Sequence, residues 1–119
     1  MTHEAYKMIV AVIGSGRLKS GIGKHIPEGT TRIITVDADP AGRQAEKWAD
    51  ENGVPKLVIK RGYARYGGPA PLDANRLLAE ISDIVVAVWD GKSPQIKYTI
   101  DYARGIGKEV RVYTVNAEK

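Results

Sequence analysis

Four stretches of this 119-residue chain hold residues whose types and spacing could do chemistry. The first is Gly14, Ser15, Gly16 and Arg17, which closes an apolar run and opens a segment of helical spacing. Small residues there let a phosphate approach backbone N–H groups at a helix N-terminus, where the dipole favours an anion. The second is Asp37, twenty-one residues beyond Gly16 and again at the end of an apolar run. An acid at that place hydrogen-bonds a ribose hydroxyl in dinucleotide-binding folds. Gly14, Gly16 and Asp37 make a partial dinucleotide fingerprint, whose third glycine falls on Lys19. Tight turns joining strands to helices use the same glycines, and both readings stand. The third stretch holds Arg61, Tyr63, Arg65 and Tyr66. Aromatic rings beside guanidinium groups hold a base by stacking and phosphates by charge, although tyrosines at a domain edge also pack without any ligand. The fourth is Trp89, Asp90, Lys92, Ser93 and Gln95 around a helix start at Pro94, a second potential anion site facing the first.

Catalytic groups are sparse. Asp37, Asp39, Asp73 and Asp90 could converge, and Asp37 or Asp73, desolvated in a crevice, could act as a general base. A pair of these acids could hold Mg²⁺ through waters and phosphates. Asp39 reads first as a helix cap, because Pro40 follows it. His3 lies near the chain end and His25 falls at the far end of the first helical segment, away from these loops, so no Ser-His-Asp triad forms around Ser15. No group of residues has metal-ligand spacing.

The elements that must position these residues follow from hydrophobic periodicity. Strands are expected over residues 8–13, 32–36, 56–60, 83–89 and 109–115, the first as a continuous β-branched run of the kind buried on both faces. Helical stripes lie between them. They are Leu18, Ile22 and Ile26; Ala41, Ala45, Trp48 and Ala49; Ala74, Leu77, Leu78 and Ile81; and Ile96, Ile100, Ala103 and Ile106. Residues 61–71, rich in Gly, Pro and Tyr, form the one long irregular segment. Alternating strands and helices with short connections predict an α/β, Rossmann-like, doubly wound parallel sheet of five strands, order 3-2-1-4-5, with helices on both faces. Its switch point lies between strands 1 and 4, and ligands bind such sheets at the carboxyl ends of the strands.

Composition bounds the rest. The length suits a single domain over residues 1–119, with flexible ends at 1–7 and 116–119. No apolar run approaches the roughly 20 residues of a membrane helix, and residues 1–7 lack the apolar core of a secretory signal. Without cysteine the chain has no disulfide, thiolate zinc site or cysteine nucleophile. These features together fit a cytoplasmic protein. Eighteen Lys and Arg against fourteen Asp and Glu give a mild excess of +4. Lys56, Lys60, Arg61 and Arg65 cluster locally and could meet phosphates. A solvated face is the simpler reading, so nucleic acid is a disfavoured partner.

Several motifs resemble the SLOG superfamily. They are Tyr66 with Gly67; Ala70, Pro71 and Leu72; Asn75 with Arg76; the run 82–93; and the run 97–103. The nearest branch is the small YspA/YpsA-like proteins, related to the lonely-guy phosphoribohydrolases and the DNA-processing protein DprA. The resemblance extends from about Ile9 to Tyr113 and is strongest in the second half. It implies a Rossmann-like fold and a nucleotide or NAD-like ligand, with Mg²⁺ only alongside phosphate. In that family a glycine pair, a third glycine and an acid cradle phosphate after strand 2. Here the pair falls on Val36 and Asp37, and the acid on Gly42. The usual Gly-Thr at the start of the last helix is Gln95-Ile96, the basic pair before Asn75 is Asp73-Ala74, and Gly16 stands where a basic residue is expected. An aspartate in place of a phosphate-facing glycine crowds and repels phosphate.

All these departures fall at the carboxyl ends of the strands, on a framework that otherwise fits the family. They imply a pocket rebuilt by divergence or, in the favoured reading, by deliberate redesign. Gly16, Ala38, Ala41, Gly62, Gly68 and Ala74, with Leu77, Leu78 and Ile96, are expected to make it larger and more apolar. Three readings follow. One is a small-molecule-binding domain that retains a nucleotide-like ligand. Another is a computationally designed pocket for a non-native ligand or reaction, using Asp37 or Asp73 as base. The third is an interaction protein that dimerises without a ligand. Nucleotide hydrolysis is disfavoured, since the departures remove its acid and arginine groups.

Overall fold

A computed structural model describes residues 7–16, 18–19, 21–65 and 72–115. Its five strands are β1 (Ile9–Gly14), β2 (Arg32–Val36), β3 (Lys56–Ile59), β4 (Ile84–Trp89) and β5 (Glu109–Thr114). They form one parallel sheet in the order β3-β2-β1-β4-β5, the α/β arrangement expected from the alternation. Three helices connect them: α1 (Pro40–Glu51), α2 (Asp73–Glu80) and α3 (Pro94–Gly105).

Strand residues alternate between faces, and β1 is buried on both. Val10 and Val12 face α1 with Ile33, Val86 and Val88, while Ala11 and Ile13 join Ile34, Val36, Val85 and Ala87 beneath α2 and α3. The two caps appear where Asp and Ser precede proline. Asp39 accepts from the Gly42 N–H at 2.8 Å, and Ser93 accepts from the Ile96 N–H at 3.4 Å. Gly53, at φ 68°, turns the chain out of α1.

Among the described residues the expected first helix does not form. Its place holds a 3-10 turn, Gly23–His25, although Ile22 and Ile26 are buried as the stripe requires. Gly21 adopts φ 89°, outside the right-handed helical region, and Gly23 adds the glycine cost within the same turn. A spacing of four between apolar residues is therefore met here by a looped segment. One face of the sheet carries α1 and this loop; the other carries α2 and α3. Among the described residues, no helix is long and apolar enough to cross a membrane.

Candidate functional site

The loops after β1 and β4 do meet at the switch point. Gly14 pairs in register with Val88, and the Ser15 hydroxyl accepts a hydrogen bond from the Asp90 N–H at 3.3 Å. Their anion cradles are already filled by the chain itself. The Gly14 N–H donates to both carboxylate oxygens of Asp39, at 3.0 and 3.2 Å, while the same carboxylate holds the Gly42 N–H of α1. Asp90 accepts from the N–H groups of Lys92 and Ser93, at 2.8 and 2.9 Å. The Ser15 N–H donates to the Val88 carbonyl. The first glycine also has a packing cause: a Cβ on Gly14 would stand 2.2 Å from the Val88 carbonyl oxygen. On Gly16 it would stand 2.9 Å from Val115 Cγ2. Among the described residues no helix begins after Gly16, and these residues supply no helix dipole for the phosphate reading.

The two carboxylates differ in environment. Asp39 is 6% exposed, and burial pushes its pKa up to about 6, against the opposing pull of the Gly42 and Gly14 N–H groups and of Arg61; Glu46 adds repulsion. The Asp90 carboxyl is held below its ordinary value by the N–H groups of Ser93 and Lys92.

The other candidate acids are clamps. One Asp37 carboxylate oxygen accepts the Arg61 N–H, and the Arg61 guanidinium donates to the carbonyls of Asp37 and Ala38 at 3.3 and 3.1 Å. This ties down the β2–α1 loop, where Ala38 takes φ 62°. Asp73 is buried, with one oxygen accepting the Arg65 N–H and the other paired with Arg76, each at 2.8 Å. A base role at Asp73 would require breaking both contacts.

The remaining expected site residues scatter. Trp89 donates through Nε1 to the Ser93 carbonyl at 3.0 Å, and Lys92 and Gln95 are exposed. Arg17, Tyr66 and Gly68 lie outside the described residues. His25 corrects an expectation: its ring packs at a tilt against Tyr113, ring centroids 4.0 Å apart, and Tyr113 is in register with Val88 near the carboxyl end of the sheet. Among the described residues, no group of three or more His, Asp and Glu could hold a metal.

The basic cluster is partly neutralised. Lys56 pairs with Asp50 and Arg65 with Glu80, both at 2.7 Å, and Tyr102 also donates to Glu80. Lys60 has no carboxylate partner among the described residues.

Four of the residues expected to enlarge a pocket are instead core. Ala41, Ala74, Leu78 and Ile96 are buried, the first against α1's face of the sheet and the others beneath α2 and α3. Gly62 and Leu77 do border open space. With Leu57, Ile59 and Tyr63 they line an apolar groove of about 590 Å³, flanked by Asp37 and Lys60. The groove exists because α2 spans only eight residues and packs on α3 and β2, while α3 covers β4 and β5. Edge strand β3 therefore keeps Leu57 41% exposed. Leu57 and Ile59 read from sequence only as strand residues. The signal for their exposure is a four-residue strand at the sheet edge facing a short helix.

A second cavity, about 540 Å³, lies on the other side of the same loop, lined by Ala38, Pro40, Arg43, Gln44 and Lys47. Gln44 there holds both the N–H and the carbonyl of Leu18, at 2.9 Å each, so its amide is spent on docking the segment after β1. Set against family models, curated proteins and solved structures, the chain matches none of them.

Proposed function

We propose that this chain is a small-molecule-binding domain whose site is the groove along β3 rather than the crevice between β1 and β4. One observation carries the reading: about 590 Å³ of largely apolar groove lies open along β3, while N–H groups of the loops after β1 and β4 are already taken by Asp39 and Asp90. That volume falls in the range of roughly 300–1,000 Å³ usual for small-ligand sites. Apolar walls with a few polar groups at the rim bind by removing apolar surface from water, and the polar groups orient the ligand. Exposure of Leu57 keeps part of any ligand in solvent, so affinities on the order of 0.1–1 mM are expected for small compounds. On a SLOG-like scaffold this amounts to a ligand site moved from the β1–β4 crevice to the β3 edge of the sheet, consistent with a rebuilt or designed pocket.

A second reading keeps a nucleotide-like ligand at the switch point, favoured by the Ser15–Asp90 contact that joins the two loops. It requires Asp39 to release the Gly14 N–H. Neither reading needs Asp37 or Asp73 as a base, because both are engaged in clamps. The test is a thermal-shift and amide-NMR screen of NAD, ADP-ribose, AMP, ATP with and without Mg²⁺, and small apolar aromatic compounds. Shifts with apolar compounds, localised to Leu57, Tyr63 and Leu77, are expected. A nucleotide response centred on Gly14 and Ser15 would overturn the groove in favour of the crevice.

A further inference from the structure

We infer that the chain carries a second binding site, independent of the groove along β3: the cavity on the other side of the β2–α1 loop takes a short-chain dicarboxylate, with one carboxylate on Arg43 and the other on Lys47. The cavity measures about 540 Å³ and is lined by Ala38, Pro40, Arg43, Gln44 and Lys47. Its two charged lining residues have the same sign, and neither makes an ion pair among the described residues. The acids around it are engaged elsewhere. Asp39 is buried, its carboxylate taken by the Gly14 and Gly42 N–H groups. Glu46 accepts from the Thr35 hydroxyl at 3.1 Å, and Asp50 pairs with Lys56. Glu51, one turn beyond Lys47, forms no ion pair among the described residues and does not line the cavity. The uncharged walls are held in place: the Arg61 guanidinium donates to the Ala38 carbonyl at 3.1 Å, and the Gln44 amide is spent on Leu18.

Arg43 and Lys47 stand four residues apart on α1, which places them one above the other on a single helix face, with Cβ atoms roughly 5–6 Å apart. That spacing suits two separate carboxylates. The guanidinium fork meets one bidentately, and the ammonium meets the other as a point charge. A single phosphate has to bring both long side chains to one centre, which restricts their rotamers further, and it leaves most of the cavity to water. Both cations are exposed, so each contact is modest and screened by salt.

The experiment titrates the intact chain at low salt with glutarate, its monoamide and its diamide, which share a skeleton and differ in charge, and follows amide NMR shifts. Glutarate is expected to bind about three- to fivefold more tightly than the monoamide, and the monoamide more tightly than the diamide by a similar factor. The shifts should centre on Ala38, Arg43, Gln44 and Lys47, and raising the salt to about 1 M should bring the three ligands together. Arg43→Gln and Lys47→Gln, at exposed helix positions, are each expected to lower glutarate to the level of the monoamide with Tm little changed. Leu57→Ser should leave glutarate binding as it is. Equal binding of the three ligands, no shift at these four residues, or full glutarate binding by both glutamine variants overturns the site. Inorganic phosphate binding there more tightly than glutarate overturns the dicarboxylate in favour of a single-centre dianion. None of these outcomes decides the groove along β3, whose test rests on apolar compounds.

Discussion

The loops after β1 and β4 and the groove beside β3 lie at the same end of one sheet, yet they solve opposite problems. In the loops the polar backbone is satisfied internally: Asp39 and Asp90 take the N–H groups that an anionic ligand would use. Beside β3 Asp37 is clamped by the Arg61 N–H, and apolar surface lacks a partner, with Leu57 41% exposed. A glycine-containing loop at a topological switch point is an anion site only while its N–H groups are unspent. Once a buried carboxylate occupies them, a phosphate has to displace that carboxylate and overcome its charge.

The sharpest way to break this contrast is at Gly14. With a Cβ only 2.2 Å from the Val88 carbonyl oxygen, Gly14→Ala forces β1 and β4 apart, and a loss of about 4 kcal/mol is expected in urea unfolding. A near-neutral result would mean that this glycine is there for a ligand and not for packing.

Next in size is Asp39→Ala, which removes the α1 cap and leaves the Gly14 and Gly42 N–H groups without an acceptor. About 3 kcal/mol is expected. Asp90→Ala, in a more open loop, is expected to cost about 1 kcal/mol. Equal costs at the two positions would remove the distinction between a buried plug and an ordinary loop turn.

The pH dependence sharpens the same point. Asp39 holds its proton more tightly folded, with a pKa of about 6, than at its ordinary value of 3.8. Its contribution to stability is therefore fully present below pH 3.8 and is lost as pH rises through about 6. The loss is on the order of 3 kcal/mol. Glu80 and Asp90, whose carboxyls are held below their ordinary values, act in the opposite direction and lose stabilisation in acid. The readout is thus the difference between wild type and Asp39→Asn, whose stability gap should change between pH 4 and pH 7. A constant gap would show that burial does not perturb this carboxyl.

The smallest effect belongs to the groove. Leu57→Ser should alter stability by less than about 0.5 kcal/mol while weakening apolar ligands. A large loss of stability there would make Leu57 a core residue and the groove an artefact of exposure.

Much of the fold was legible because it rests on local chemistry. Continuous β-branched runs mark the central strands. Asp39 with Pro40 and Ser93 with Pro94 mark helix starts, and Gly53 marks a helix end. The segment after β1 was misread because Leu18, Ile22 and Ile26 keep a spacing of four without being helical. Burial rewards those side chains in any backbone that delivers them to the sheet, while Gly21 takes a conformation no right-handed helix contains. Asp39 was legible as a cap but not as the acceptor for Gly14, a contact made across 25 residues of sequence.

Periodicity and capping are properties of neighbouring residues, and so the sequence by itself determined the parallel five-stranded sheet, its order and two of its helix starts. Whether a donor is free, a carboxylate spent or a leucine uncovered depends on what arrives from elsewhere in the chain. Only the tertiary structure decided that Asp39 fills the β1 loop, that α2 stops short of β3, and that Lys60 stands without a carboxylate partner beside the apolar surface this leaves.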